Sequence, residues 1–284
     1  MKVYVDQIRT KVGNPLTVLA YFLFVVFILF IYHLASDGDF SFCLSLSGLV
    51  KLFAFGLLLT HLAVDRTAAG VSAKSLFLFA VSFLCRFFGV YLGVGYLPVD
   101  KSGDYLPLIE MLAFLVTAAT LASVLVVNRA TYAKEEDSFG KHVIPNVPHE
   151  FGPLYILIPA TILAILFHPK LNQNNFSDIP WTLALYLESV AIIPQLFMFQ
   201  KSTKPVERWT SHYVFTLAVA RFLSFVFWAS SYHELASKND KSVTGGWVGM
   251  LCVFFEIIGL LILADYSYYW FVSARSGNDI SFAV

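Results

Sequence analysis

The chain has 284 residues, of which 58% are hydrophobic and only 13% charged, with a mean hydropathy of +0.71. That balance excludes an ordinary water-soluble globule and points to a membrane protein. Nineteen basic residues against nineteen acidic ones leave no net charge, so no nucleic acid partner is expected. Twenty-eight Phe and fourteen Tyr suit a lipid-facing surface with aromatic belts. Cys43, Cys85 and Cys252 all fall inside apolar runs without metal-ligand spacing, as small buried hydrophobes do.

Eight apolar runs follow one another, each near the ~20 residues that cross a bilayer. The first, 15–34, follows Lys2, Arg9 and Lys11. Its core from Leu16 to Leu34 is too long for a signal-peptide h-region and no convincing cleavage site follows, so it reads as a spanning helix. The next three runs are 42–64 with Lys51 at its centre, 74–96 with Arg86, and 106–128 with Glu110 near its start. A mixed-charge loop, 129–150, holds His142 and His149, which read as solvated loop histidines rather than metal ligands. After the fifth run, 151–168, come the glycosylation sequon Asn175-Phe176-Ser177 and Asp178 at the mouth of the sixth, 179–199. The seventh, 210–231, carries Arg221, and the eighth, 246–272, carries Glu256 and Asp265.

Basic residues fix the orientation. With a cytosolic N-terminus, twelve Lys and Arg lie in cytosolic segments, four on the opposite side and three within spans, a clear positive-inside bias. Both termini then face the cytosol.

The sixth run is the informative one. Residues 181–198 form an apolar helix with Glu188 near its middle, followed by Pro194-Gln195. A carboxylate at that depth is costly unless paired inside a bundle, and a proline there needs neighbours to satisfy the freed backbone. In one reading, Glu188 pairs with Arg221 or Lys51 to hold helices in register. In the other, the buried cations line a lumen-facing pocket that captures a peptide carboxylate, a task suited to the planar fork of arginine. Residue types alone leave both open. No nucleophile–base spacing, metal motif or phosphate loop is present, so no enzyme, cofactor or metal is expected.

These patches resemble the KDEL receptors, membrane receptors that return escaped lumenal proteins to the endoplasmic reticulum. The resemblance is carried by Trp181, Tyr186 to Ile192 and Pro194 to Met198, by Thr210-Ser211-His212-Tyr213 with Arg221 and Trp228, and by Ala69 to Ser75 and Leu78-Phe79-Ala80 with Arg86. It implies an all-α polytopic membrane protein: a seven-helix, SWEET-like bundle of two three-helix repeats plus a linker helix. One additional N-terminal helix makes eight spans in total. Residues 1–40 would be the extension with the extra helix, 41–275 the receptor-like domain and 276–284 a cytosolic tail. Repeats of this kind place their site near the midplane.

The resemblance further implies a lumen-facing cavity for a C-terminal tetrapeptide. Arg86 would clamp the peptide carboxylate, Asp178 would take its basic residue, and Trp181 and Trp228 would wall the pocket, with Glu188 and Arg221 also at cavity positions. The implied partners are retrieval peptides of lumenal proteins, membrane lipid and vesicle coat proteins, in endoplasmic reticulum and Golgi membranes. The chain departs from the family pattern at several positions. Lys51 stands at the position of the pH-sensing histidine, and a lysine paired with Glu188 keeps its charge where a histidine loses it, so weak or absent pH switching is expected. Leu44, Phe87, Gly89, Ala220, Ser224 and Ser231 replace cavity residues, and the tail from Ser273 to Asp279 lacks the family's lysine cluster. The expectation is a divergent retention-signal receptor. The alternatives are a receptor-fold paralogue without tetrapeptide binding and a PQ-loop solute transporter hinged at Pro194-Gln195.

Overall fold

The computed structural model describes residues 15–38, 40–93, 101–141, 149–170, 172, 174–202, 205–236 and 248–276. The N-terminal basic residues, His142 and most of the C-terminal tail lie outside that set. The described residues form nine α-helices: α1 (Pro15–Ala35), α2 (Phe42–Val64), α3 (Ala73–Tyr91), α4 (Leu106–Ala122), α5 (Leu154–Leu166), α6 (Asn175–Val190), α7 (Ile193–Lys201), α8 (Arg208–Ala236) and α9 (Val248–Ser276). A π turn, Ser123–Val127, extends α4.

Six stretches are long and apolar enough to cross a bilayer: Phe42–Val64, Ala73–Tyr91, Gly103–Val127, Asn175–Lys201, Arg208–Ser231 and Val248–Ser273. Two shorter apolar stretches, Val18–Leu34 and Leu154–Leu166, complete the eight expected runs. The fifth run falls furthest short. Pro153 caps the start of α5 and the helix ends at Leu166, with Phe167 as its C-cap close before Pro169. Its 13 residues reach only about 20 Å at 1.5 Å per residue.

The helices form two trios. In the first, α4 packs on both α2 and α3; in the second, α9 packs on both α6 and α8. Between trios, the first helix of each meets the second helix of the other, α2 on α8 and α3 on α6. That exchange is the signature of an approximate two-fold relation between repeats. α5 joins the trios and rests on α6. α1 stands outside, against α2 and α8: Phe24 stacks on Phe53 with centroids 4.0 Å apart, and Tyr21 Oη lies 3.0 Å from Thr216 Oγ1 and 3.3 Å from His212 Nδ1. Its remaining surface, from Val18 to Leu34, is largely exposed apolar side chain, as a lipid-facing helix requires.

The sixth run is the most enclosed of the spans, and it is broken. α6 ends at Val190, and α7 restarts at Ile193 with Pro194 in its first turn, because proline has no N–H to continue the ladder. Ser75 Oγ donates to the Ala191 carbonyl freed by the break, at 2.6 Å. Gln195 clamps the turn before α3: its Nε2 donates to the Gly70 carbonyl at 2.7 Å, and its Oε1 accepts from Ser72 N at 2.8 Å. Gly70 sits at φ +76°, a region open to glycine, and Ser72 then caps α3 by accepting from Ser75 N. The Ala69–Ser75 and Pro194-Gln195 motifs are therefore two halves of one joint.

Candidate functional site

Each helix of the two trios brings one charge to the centre of the bundle. The first trio supplies Lys51 from α2, Arg86 from α3 and Glu110 from α4. The second supplies Glu188 from α6, Arg221 from α8 and Glu256 from α9. Three cations thus face three carboxylates, and the order Arg then Glu on the second and third helices repeats between trios.

Glu188 is the hub. Its Oε1 accepts from Lys51 Nζ at 2.6 Å, and its Oε2 accepts from Arg86 Nη2 at 2.7 Å. Arg221 Nη2 donates to the Glu188 backbone carbonyl and Nη1 to Glu256 Oε2 at 3.0 Å. Ser224 Oγ holds the other Glu256 oxygen at 2.8 Å. Lys51 Nζ also lies 3.7 Å from Glu110 Oε1, while Glu110 Oε2 is buried with no hydrogen-bond partner. Apart from Lys51, 13% exposed, each of these side chains is under 10% exposed. Burial this deep is tolerable because every charge has a partner of opposite sign.

The aromatic wall lies beside Arg86. Its guanidinium stands 5.3 Å from the Trp181 ring centroid, a cation–π contact, and Trp181 meets Trp228 edge-on at 6.0 Å. Two glycines make room for this arrangement. A Cβ on Gly89 would fall 2.7 Å from Trp181 Cβ, and one on Gly259 would fall 3.0 Å from Arg221 Nε. The glycine at 89 therefore has a packing reason: α3 and α6 approach too closely there for any side chain. Ser177 Oγ donates to the Gly89 carbonyl and Ser82 Oγ to the Ala184 carbonyl along the same seam.

Five of the expected ligand-binding residues, Arg86, Trp181, Glu188, Arg221 and Trp228, gather here with Lys51. Asp178 stands apart from them. Its carboxylate accepts from the backbone N–H groups of Asn172 and Asn174 at 3.3 Å each and from Asn172 Nδ2 at 3.2 Å. It thereby pins the chain that enters α6. Ser177 of the sequon is buried in the same turn. Asp265 lies exposed on α9.

Two small cavities flank Glu188, each about 20 Å³, room for about one water. One lies on the Trp181 and Trp228 side, beside Leu44, Arg86, Val90 and Glu110; the other lies between Ser47, Glu188, Arg221 and Gly259. Neither holds a tetrapeptide as it stands.

A second charged group ties the trios together at the other end. His61, fully buried near the end of α2, has Nδ1 2.9 Å from Asp65 Oδ2 and Nε2 2.7 Å from Glu207 Oε2, just before α8. The carboxylates face opposite ring nitrogens, which suits an ion-paired histidine bridging two helices better than a metal chelate. The sequence alone gives this group no role, and it places Glu110 and Glu256 at or inside the limits of their spans without assigning them one. The signal that identifies those two is the count of one charge per helix.

Comparison with known proteins agrees with this geometry. Residues 67–231 match the family described as ER lumen protein retaining receptor. The chain is 27% identical to an ER lumen protein-retaining receptor of Drosophila melanogaster, over 82% of this chain and 94% of that one. It is 28% identical to ER lumen protein-retaining receptor 3 of Mus musculus, over 84% and 96% of the two chains. With ER lumen protein-retaining receptor erd-2.2 of Caenorhabditis elegans it shares 30% identity, over 81% and 93%. The matched segment contains Arg86, Glu188, Arg221 and both tryptophans of the wall, and by the length of these matches the chain belongs to the ER lumen protein retaining receptor family.

Proposed function

We propose that this protein is a multi-pass receptor of endoplasmic reticulum and Golgi membranes that captures the C-terminal retrieval signal of lumenal proteins. The reading is carried by one observation: Arg86 and Lys51 both end on Glu188 at the bundle centre, directly beneath a tryptophan-walled cavity on the side that the basic-residue bias assigns to the lumen.

In this account the carboxylate of the peptide terminus replaces Glu188 on the Arg86 fork, where two parallel N–H groups match two oxygens. Lys51 retains Glu188, so the displaced side chain keeps a partner. Trp181 holds the guanidinium from its face, and Trp228 packs against the peptide. The cavity beside Arg86 has to widen for this, by parting of the helix ends that carry Leu44, Val90, Leu106 and Trp228. Asp178 takes the ligand's basic residue only after releasing the Asn172–Asn174 turn. Return of the loaded receptor runs through vesicle coat proteins on the cytosolic face.

Direct binding of a peptide ending in Lys-Asp-Glu-Leu, compared with its C-terminal amide, tests the reading. Binding of the free acid with loss of affinity for the amide is expected. Equal binding of both, or binding of neither, would remove the carboxylate clamp and leave a receptor fold without this activity.

A further inference from the structure

A cavity of about 550 Å³ opens between α3, the end of α4 and the start of α5, far from Glu188 and unused by the proposed retrieval site. Its size lies within the range of small-molecule pockets, about 300–1,000 Å³. The basic-residue bias puts these helix ends on the cytosolic side. Phe77, Leu121, Leu125 and Leu154 form an apolar wall, and Lys74, Arg129 and Lys134 stand at the loop end. The sequence accounts for this split, because Arg129 comes two residues after the apolar π turn that ends α4, past its capping Asn128.

The charges around this cavity are unevenly engaged. Lys134 pairs with Glu150 at 2.6 Å, and Lys74 Nζ donates to the Phe139 carbonyl at 2.9 Å. Asp137 accepts from the Ser72 and Tyr132 hydroxyls at 2.9 and 2.7 Å. Arg129 is exposed and has no carboxylate within ion-pair distance among the described residues. Three cations and two carboxylates line the space, so one positive charge remains, and it can lie on the open guanidinium.

We infer that this groove is a binding site for a singly anionic glycerophospholipid of the cytosolic leaflet. The phosphodiester lies on the Arg129 fork, which matches phosphate oxygens in pairs. Lys74 and Lys134 flank it, and an acyl chain runs along Phe77, Leu121 and Leu125. Basic pockets between spanning helices on the cytosolic side take anionic headgroups in this way. A headgroup with a single net negative charge neutralises the net charge of the lining; phosphatidylcholine carries the same phosphodiester but offsets it with its quaternary ammonium, and a multiply phosphorylated headgroup would bring excess negative charge against Glu150 and Asp137.

The test uses the full-length protein in detergent, incubated with equal amounts of phosphatidylserine and phosphatidylcholine, with retained lipid measured by native mass spectrometry. One phosphatidylserine per chain is expected, favoured over phosphatidylcholine by about fivefold, the weight of one basic residue at a lipid surface. Arg129→Gln, at an exposed position, should erase the preference. Leu125→Trp should cut retention of phosphatidylserine by filling the groove while leaving the cations in place. Excess inorganic phosphate should not displace the lipid. Equal retention of the two lipids, an unchanged preference in Arg129→Gln, unchanged retention in Leu125→Trp or displacement by phosphate would overturn the inference.

Discussion

Replacing Glu188 with glutamine removes the one carboxylate that both Lys51 and Arg86 reach, at 2.6 and 2.7 Å. It leaves three buried cations against Glu110 and Glu256. Lys51 then has only Glu110, at 3.7 Å, and Arg86 has no carboxylate within ion-pair distance among the described residues. Breaking a buried pair from one side costs about 3–5 kcal/mol, because the remaining charge stays buried without compensation. At about 2–4 °C per kcal/mol for chains of 150–250 residues, the melting temperature of the detergent-purified protein should fall by on the order of 10 °C. The double variant Lys51→Met with Glu188→Gln deletes one charge of each sign and restores a balanced set, Arg86 and Arg221 against Glu110 and Glu256. It should therefore be more stable than the sum of the single losses predicts, by about 0.5–3 kcal/mol, the usual coupling between contacting residues. Thermal unfolding of the wild type, both single variants and the double variant gives the cycle. Additive losses, or a Glu188→Gln loss below about 1 kcal/mol, would refute the claim that the cluster is held by mutual compensation.

Three further outcomes are expected. Gly89→Ala should destabilise by about 1–3 kcal/mol through overpacking, since its Cβ would meet Trp181 Cβ at 2.7 Å; thermal unfolding reads this. Gln195→Leu should cost about 1–3 kcal/mol by leaving the Gly70 carbonyl and Ser72 N–H without their partner, and faster amide exchange at the start of α3 would show where the loss falls. With a lysine, Lys51, rather than a histidine paired to Glu188, retrieval-peptide affinity should differ by no more than about twofold between about pH 5.5 and about pH 7.4, a range over which histidine titrates. A tenfold rise in affinity at the lower pH would show that another group senses protons.

Hydropathy made the spans legible, because roughly twenty apolar residues between polar turns leave few alternatives. Lys51, Arg86, Glu188 and Arg221 stood out because charges are rare in such runs. The trio symmetry was hidden, since it lies in which helices touch and in the repeated order of Arg and Glu, not in aligned residues. Glu110 and Glu256 drew no role because position along a run does not say which neighbours a side chain meets, and only the packed helices bring them to Lys51 and Arg221. Asp178 looked like a mouth acid for an equally physical reason. A carboxylate in the first turn of a helix can serve a ligand or hold the preceding turn, and the positions of Asn172 and Asn174, which no linear pattern gives, show the contacts it makes in this structure. Gly89 read only as a replaced cavity residue until the closeness of α6 supplied its reason.

The central claim is that Arg86 is the grip for an anionic chain end. Equilibrium binding of a labelled tetrapeptide to the purified protein, wild type against Arg86→Ala, measures it most directly. The account predicts saturable binding by the wild type and none by the variant; undiminished binding by a folded Arg86→Ala protein would contradict it.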